Sequence, residues 1–142
     1  MNYKNILCPV DFTEDMESII EIAISQCIPN GKITFFNYLE TIDYEKESIN
    51  FEKDTEFITS RKEEMEALVL QYKSKNPNIT FKYEMTLDNN ISEGIKHVSV
   101  LHNIDLIVMA THGRSGIKKL FMGSVAEEVI EAVNCPVLIK KI

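Results

Sequence analysis

Chemistry in this chain is concentrated in one run, Met109-Ala110-Thr111-His112-Gly113-Arg114-Ser115-Gly116-Ile117-Lys118-Lys119-Leu120-Phe121-Met122-Gly123-Ser124. Gly113 and Gly116 let a backbone come nearer to a ligand than a Cβ allows. Gly123-Ser124 opens a helical pattern, and the first N–H groups of a helix have no partner inside it. Free amides, the positive end of the helix dipole and the Ser124 hydroxyl make a cradle for phosphate oxygens. Charge-assisted hydrogen bonds of about 1.5 to 3 kcal/mol each would hold an anion there. Arg114, Lys118 and Lys119 add local positive charge to a chain whose net charge is -7. The same composition also describes a plain Gly/Ser loop ending in an N-cap serine, since short patterns of this kind are common.

A second candidate is Asp11, at the end of the apolar run Ile6-Leu7-Cys8-Pro9-Val10 and two residues before Thr13. A carboxylate at a strand's carboxyl end accepts a ribose hydroxyl, holds a metal indirectly, or caps the next helix together with Thr13. Catalysis has thinner support. His112, Ser115 and Ser124 lack an assignable partner, and the chain contains no G-x-S-x-G, no G-x-x-x-x-G-K-[ST] and no G-x-G-x-x-G. No catalytic residue is assigned. His97 and His102 fall on a helical pattern and read as half-buried or solvated groups. The three cysteines, Cys8, Cys27 and Cys135, are odd in number and form no C-x-x-C, which argues for reduced thiols, Cys8 as a core group, and against zinc.

The elements that must position these residues follow from apolar periodicity. Ile6 to Val10 is a strand, and Thr13 stands as N-cap of a helix carrying Ile19, Ile20, Ala23, Ile24, Cys27 and Ile28, which stops at Pro29-Asn30-Gly31. Lys32 to Leu39 is a strand apolar on both faces, as in a sheet covered on both sides. Glu40 to Asn50 is polar and unpatterned, and Phe51 to Lys75 is a long charged amphipathic helix closed by Pro77. Ile79 to Met85 alternates like an edge strand, and Ser92 caps a helix running to His102. Asp105 to Ala110 is a buried strand, Ser124 to Val133 a helix, and Pro136 to Ile142 a last strand. Strands alternating with helices require parallel pairing through right-handed crossovers. The expected fold is a doubly wound α/β sandwich whose ligands bind beyond the carboxyl ends of the first and fourth strands.

With 142 residues, 44% of them hydrophobic and 26% charged, residues 1–142 read as one domain with a core large enough to need no disulfides. An acidic surface gives no general attraction to nucleic acid. No run approaches the about 18 apolar residues of a membrane span, and the N-terminus enters a strand without a signal peptide, so a cytoplasmic location is expected.

The spacing of the glycine-rich run carries more than its composition. Gly113, nine residues, then Gly123-Ser124 and Val125-Ala126-Glu127-Glu128-Val129, with Asn134-Cys135-Pro136-Val137-Leu138-Ile139 near the end, closely resembles the universal stress protein family. Ile6 to Thr13 is similar to that family's opening strand and its Asp. The resemblance spans essentially the whole chain and implies five parallel strands in the order 3-2-1-4-5 with helices on both faces. It also implies ATP as ligand, with a divalent cation such as magnesium on its phosphates. The nucleotide-binding branch writes its loop G-x-x-G, nine residues, then G and S or T, which places the first Gly on Ala110. That departure is tolerable where φ is negative. By resemblance Gly113, Arg114, Gly123, Ser124 and Val125 surround phosphates and ribose, and Pro9 and Asp11 lie beside the adenosine. Tyr38 offers backbone groups to the adenine edge, and Met109 packs on the base.

The implied function is a cytosolic dimeric stress sensor or regulator that binds ATP. The alternatives are a nucleotide-free interaction module of the same fold, which Ala110 keeps open, and a very slow adenine-nucleotide hydrolase. The resemblance further implies a homodimer through the C-terminal strand, with Val137 and Ile139 among the contacts. Lys140 and Lys141 support the competing reading of a blunted, monomeric edge.

Overall fold

Ile6, Leu7 and Cys8 are inaccessible to solvent, yet neighbouring side chains on a strand point to opposite faces. Their strand must therefore be covered on both sides. The computed structural model describes residues 2–39, 51–87, 90–111 and 124–142, with residues 51–54 described by their backbone. The elements are β1 (Tyr3–Pro9), α1 (Met16–Gln26), β2 (Cys27–Tyr38), α2 (Phe51–Lys75), β3 (Thr80–Thr86), α3 (Ile91–Leu101), β4 (Leu106–Thr111), α4 (Ser124–Ala132) and β5 (Val137–Lys141). They build one parallel five-stranded sheet in the expected order β3-β2-β1-β4-β5.

Alternation along β1 feeds two cores. Ile6 and Cys8 join Phe35, Met65, Leu68, Tyr72 and Phe81 beneath α1 and α2, while Leu7 joins Phe36, Ile95, Ile107 and Val129 beneath α3 and α4. In the first layer Phe35 stacks on Phe81 at 5.7 Å between ring centres and meets the edge of Tyr72 at 5.9 Å. This packing ties α2 to β2 and β3, so the long helix is anchored by its carboxyl half.

Three boundaries differ from the sequence expectation, each for a local reason. Thr13 is not the cap of α1: the helix starts at Met16 behind Asp15, without a side-chain cap, and the Thr13 side chain turns back toward Asp11. Ser92 is not the cap of α3 either; the Asn90 carboxamide oxygen accepts from the Ser92 and Glu93 amides at 3.0 and 3.3 Å. The third difference is at the end of α1. Cys27 and Ile28 keep helical spacing, but Pro29 pushes the residue before it toward extended backbone, and the chain is already in β2 at Cys27.

Entry into β2 is irregular. Tyr3 pairs with Cys27 but Asn5 pairs with Lys32, so three extra residues bulge out between them, with Asn30 at φ 66°. Gly31 closes this bulge against β1. A Cβ there would lie 2.6 Å from Cys27 Sγ, 2.9 Å from the Ile28 carbonyl oxygen and 3.0 Å from that of Lys4. Two of those neighbours are backbone and cannot swing away. Gly31→Ala is expected to destabilise the fold by about 1 to 3 kcal/mol, read as a lower urea midpoint at unchanged slope. A midpoint equal to wild type would mean the bulge opens without cost.

Candidate functional site

The chain winds from β1 through β2 to β3 on one side and through β4 to β5 on the other, so strand order reverses between β1 and β4. At such a switch point the two connections leave in opposite directions and a crevice opens beyond the strand ends. Here it is a cavity of about 760 Å³, within the size range of small-molecule sites.

Four stretches of chain supply most of its walls. Pro9, Val10 and Asp11 come from the end of β1, and Phe36, Asn37, Tyr38 and Leu39 from the end of β2. Met109, Ala110 and Thr111 close β4, and Ser124, Val125 and Ala126 open α4. Of the ten residues expected at the site, Pro9, Asp11, Tyr38, Met109, Ala110, Ser124 and Val125 all border this cavity. Gly113, Arg114 and Gly123 lie outside the described residues, as do His112, Ser115, Lys118 and Lys119. Ala110 is not among the described residues with positive φ. Its methyl group therefore stands where the resembled loop has glycine without backbone strain.

The β1–α1 turn is the most constrained part of the wall. Asp11 Oδ1 accepts from the Thr13 amide at 3.1 Å and from the Thr13 hydroxyl at 2.7 Å, a side-chain-closed turn. Phe12, at the turn's centre, is held at φ 59°, an uncommon conformation for a bulky residue. Such a residue persists only where its surroundings over-determine it. Two fixings are visible. Val10 donates its amide to the Phe36 carbonyl at 2.8 Å, and the Asn37 carboxamide nitrogen donates to the Val10 carbonyl at 2.8 Å. On the other side the Arg61 guanidinium of α2 lies 4.8 Å from the centre of the Phe12 ring.

Charge is unevenly distributed around the cavity. Asp11 and Asp15 line the β1–α1 side, whereas Ser124 begins α4, where amides and the helix dipole favour anions. The apolar floor between them comprises Ile19, Phe36, Leu39, Ile91 and Met109. A ligand with a flat apolar part and an anionic tail has a preferred orientation here: tail toward α4, flat part over the floor.

Residues that sequence reasoning missed are Asn37, Thr111 and the α2 pair Phe57 and Arg61. Asn37 carried a usable signal, an amide in the β-forming run Ile33 to Tyr38, and it is 3% exposed with its carboxamide oxygen unpartnered among the described residues. Phe57 and Arg61 carried none, being two residues on a long charged helix.

Other titratable groups stand apart from this chemistry. Burial pushes the Cys8 thiol up to about 12, which makes it inert and fits a core role rather than a sensing one. Burial also raises Cys27 and Cys135. His102 pairs with Glu84 at 2.8 Å, joining the end of α3 to β3. Among the described residues no group of three or more His, Cys, Asp or Glu is arranged to hold a metal ion, and no helix is long and apolar enough to cross a membrane.

A model of the universal stress protein family matches residues 2–141. This chain belongs to the universal stress protein family. It is similar to universal stress protein MJ0577 of Methanocaldococcus jannaschii, 27% identical over 154 residues that cover 98% of this chain and 95% of its relative. The solved structure of MJ0577 matches with a TM-score of 0.75 at 25% identity, covering 100% of this chain and 98% of that one. UspA of Lactobacillus plantarum shares the fold, with a TM-score of 0.72 at 18% identity over 98% of each chain. So does a universal stress protein of Archaeoglobus fulgidus, solved in complex with dAMP, with a TM-score of 0.62 at 19% identity over 98% of each.

In this universal stress protein the hydrogen bonds of the Asp11 turn can be tested by stability alone. Asp11→Ala removes both acceptor contacts to Thr13 and is expected to cost about 0.5 to 1.5 kcal/mol, whereas Asp11→Asn keeps an oxygen for them and is expected to stay near wild type. Urea unfolding distinguishes the two. Equal destabilisation by both variants would mean that the carboxylate's charge, not its hydrogen bonds, holds the turn.

Proposed function

We propose that the cavity binds ATP and that the protein acts as a dimeric, cytoplasmic stress sensor or regulator. The observation that carries this reading is the convergence of four chain segments on one cavity at the switch point, with an apolar floor, carboxylates at one end and a helix N-terminus at the other. The base lies over Met109 beside Pro9 and Tyr38. Asp11 accepts from the ribose. Ser124 and Val125 receive phosphate oxygens together with Gly113, Arg114 and Gly123, and Ala110 adds one methyl group where the resembled loop has glycine. The dAMP bound to the Archaeoglobus fulgidus relative supports the adenine-nucleotide class. A divalent cation such as magnesium would ride on the phosphates. In this reading the site acts through nucleotide occupancy, with any hydrolysis no faster than that of a very slow ATPase.

The proposal includes a homodimer through β5. This strand ends the sheet, and Val137, Leu138 and Ile139 are only partly covered. An edge of that kind presents free N–H and C=O groups to a second copy, and pairing about a two-fold axis satisfies both edges at once.

Acid quenching of the purified protein, with ion-exchange separation of the released small molecules, tests the ligand. Adenine nucleotide near one per chain is expected. Absence of retained nucleotide together with no heat of ATP binding in calorimetry would overturn the reading. Sedimentation equilibrium tests the assembly: a species of about 32 kDa is expected, twice the 16.3 kDa chain, and Val137→Lys should shift it toward the monomer. A 16 kDa species at micromolar concentration, or a fully dimeric Val137→Lys protein, would rule out the β5 interface.

A further inference from the structure

Arg61 lies on α2 and, with Phe57 one turn before it, lines the cavity although α2 is far in sequence from the strand ends that form most of its walls. It is the one cationic side chain among the described lining residues. Among the described residues no carboxylate forms a salt bridge with it, and its guanidinium lies over the rings of Phe12 at 4.8 Å and Phe57 at 5.6 Å. Its Nε is buried and without a hydrogen-bond partner among the described residues. A guanidinium carries five N–H donors, all in its plane, and no acceptor. Aromatic rings satisfy its charge and its stem while fixing that plane, and leave the in-plane donors to find oxygen or nitrogen lone pairs elsewhere.

The position of those donors selects the part of the ligand they meet. Phe12, on which the guanidinium rests, directly follows Asp11, and Asp15 also faces the cavity on this side. Two carboxylates make this the unfavourable end for phosphates, and α4 with Ser124 is the favourable one. What remains near Arg61 is the uncharged part of a nucleotide. Adenine presents lone pairs on its ring nitrogens, acceptors for a planar, multi-donor group, and its edge is reached without bringing negative charge beside Asp11.

We infer that Arg61 is a base-recognition residue of this cavity, clamped by Phe12 and Phe57 so that its guanidinium edge donates to the ring-nitrogen acceptors of a bound adenine. The inference rests on the adenine-nucleotide reading and adds a specificity-determining residue from α2. Arg61 also closes the cavity over the strained Phe12, so that base binding and the β1–α1 turn are coupled. Lysine is not equivalent at this position. An ammonium has neither the plane that lies against a ring nor the fork that spans adjacent acceptors.

Calorimetric titration of the full chain with adenosine and with ATP, in wild type, Arg61→Ala and Arg61→Lys, tests this, with thermal unfolding as the check on folding. Both variants are expected to lose about tenfold or more in affinity, the loss of one hydrogen bond to a charged group, and to lose it equally for adenosine and ATP. A loss confined to ATP would make Arg61 a phosphate ligand and overturn the inference. So would unchanged affinity in a folded Arg61→Ala protein, or full affinity in Arg61→Lys. Wild type that binds neither probe would overturn the adenine-nucleotide reading itself, and this inference with it. Should Arg61→Ala not fold, Phe57→Leu releases one side of the clamp from an exposed position. It is expected to weaken adenosine and ATP alike, and no change there would again count against the clamp.

Discussion

A parallel sheet covered by helices on both faces has no wet surface on which to build a polar site. In this protein β1 is solvent-free from Ile6 to Cys8 and delivers alternate side chains into two separate cores. Every polar group that must reach a ligand is thereby forced to the strand ends. Strand order then decides which end opens: β1 and β4 are neighbours whose connections depart in opposite directions, and the carboxyl side of that seam cannot be closed by either crossover. The cavity is a consequence of burying the sheet twice over.

Holding the cavity's rim in shape falls to backbone groups and short side chains. Asn37 ties β2 to Val10, Asp11 ties itself to Thr13, and Phe12 is left in the left-handed region between them. The rim of β1 is thus gripped from β2 on one side and from α2 on the other, through Arg61. α2 is anchored by Tyr72 against Phe35 and by Leu68 and Met65 in the same core, so Arg61 reaches the rim from a helix that is already fixed to the sheet. The cavity shares Ile19, Phe36 and Met109 with the two cores, whereas Gly31 and the aromatic cluster matter for folding while lying away from it.

Much of this was legible in the sequence, for a physical reason. Runs such as Leu106 to Met109, apolar at every position, suit only a strand buried on both faces, and their alternation with helical patterns leaves few topologies to choose from. The glycine spacing around Gly113 and Gly123 pointed to the family, and seven residues named from it border the cavity. What stayed hidden was set by competition between local signals. Thr13 has the type and place of an N-cap, but its hydroxyl is taken by Asp11; Asn90 outcompetes Ser92 because its carboxamide reaches two amides at once. Cys27 and Ile28 fit the helical period until Pro29 overrides it. Arg61 could not be found at all, since only the packing of α2 against the sheet brings a residue of that charged helix to the rim.

The most direct test of ATP binding in this cavity is the amide spectrum of isotopically labelled protein during ATP addition. The expected result is progressive, saturable shifts at Asp11 and Phe12, at Asn37 to Leu39, at Met109 to Thr111 and at Ser124 and Val125, while amides at the far end of the sheet, such as Gly31 and Lys32, stay in place. Saturable shifts clustered on another surface, or a spectrum unmoved by ATP, would contradict it.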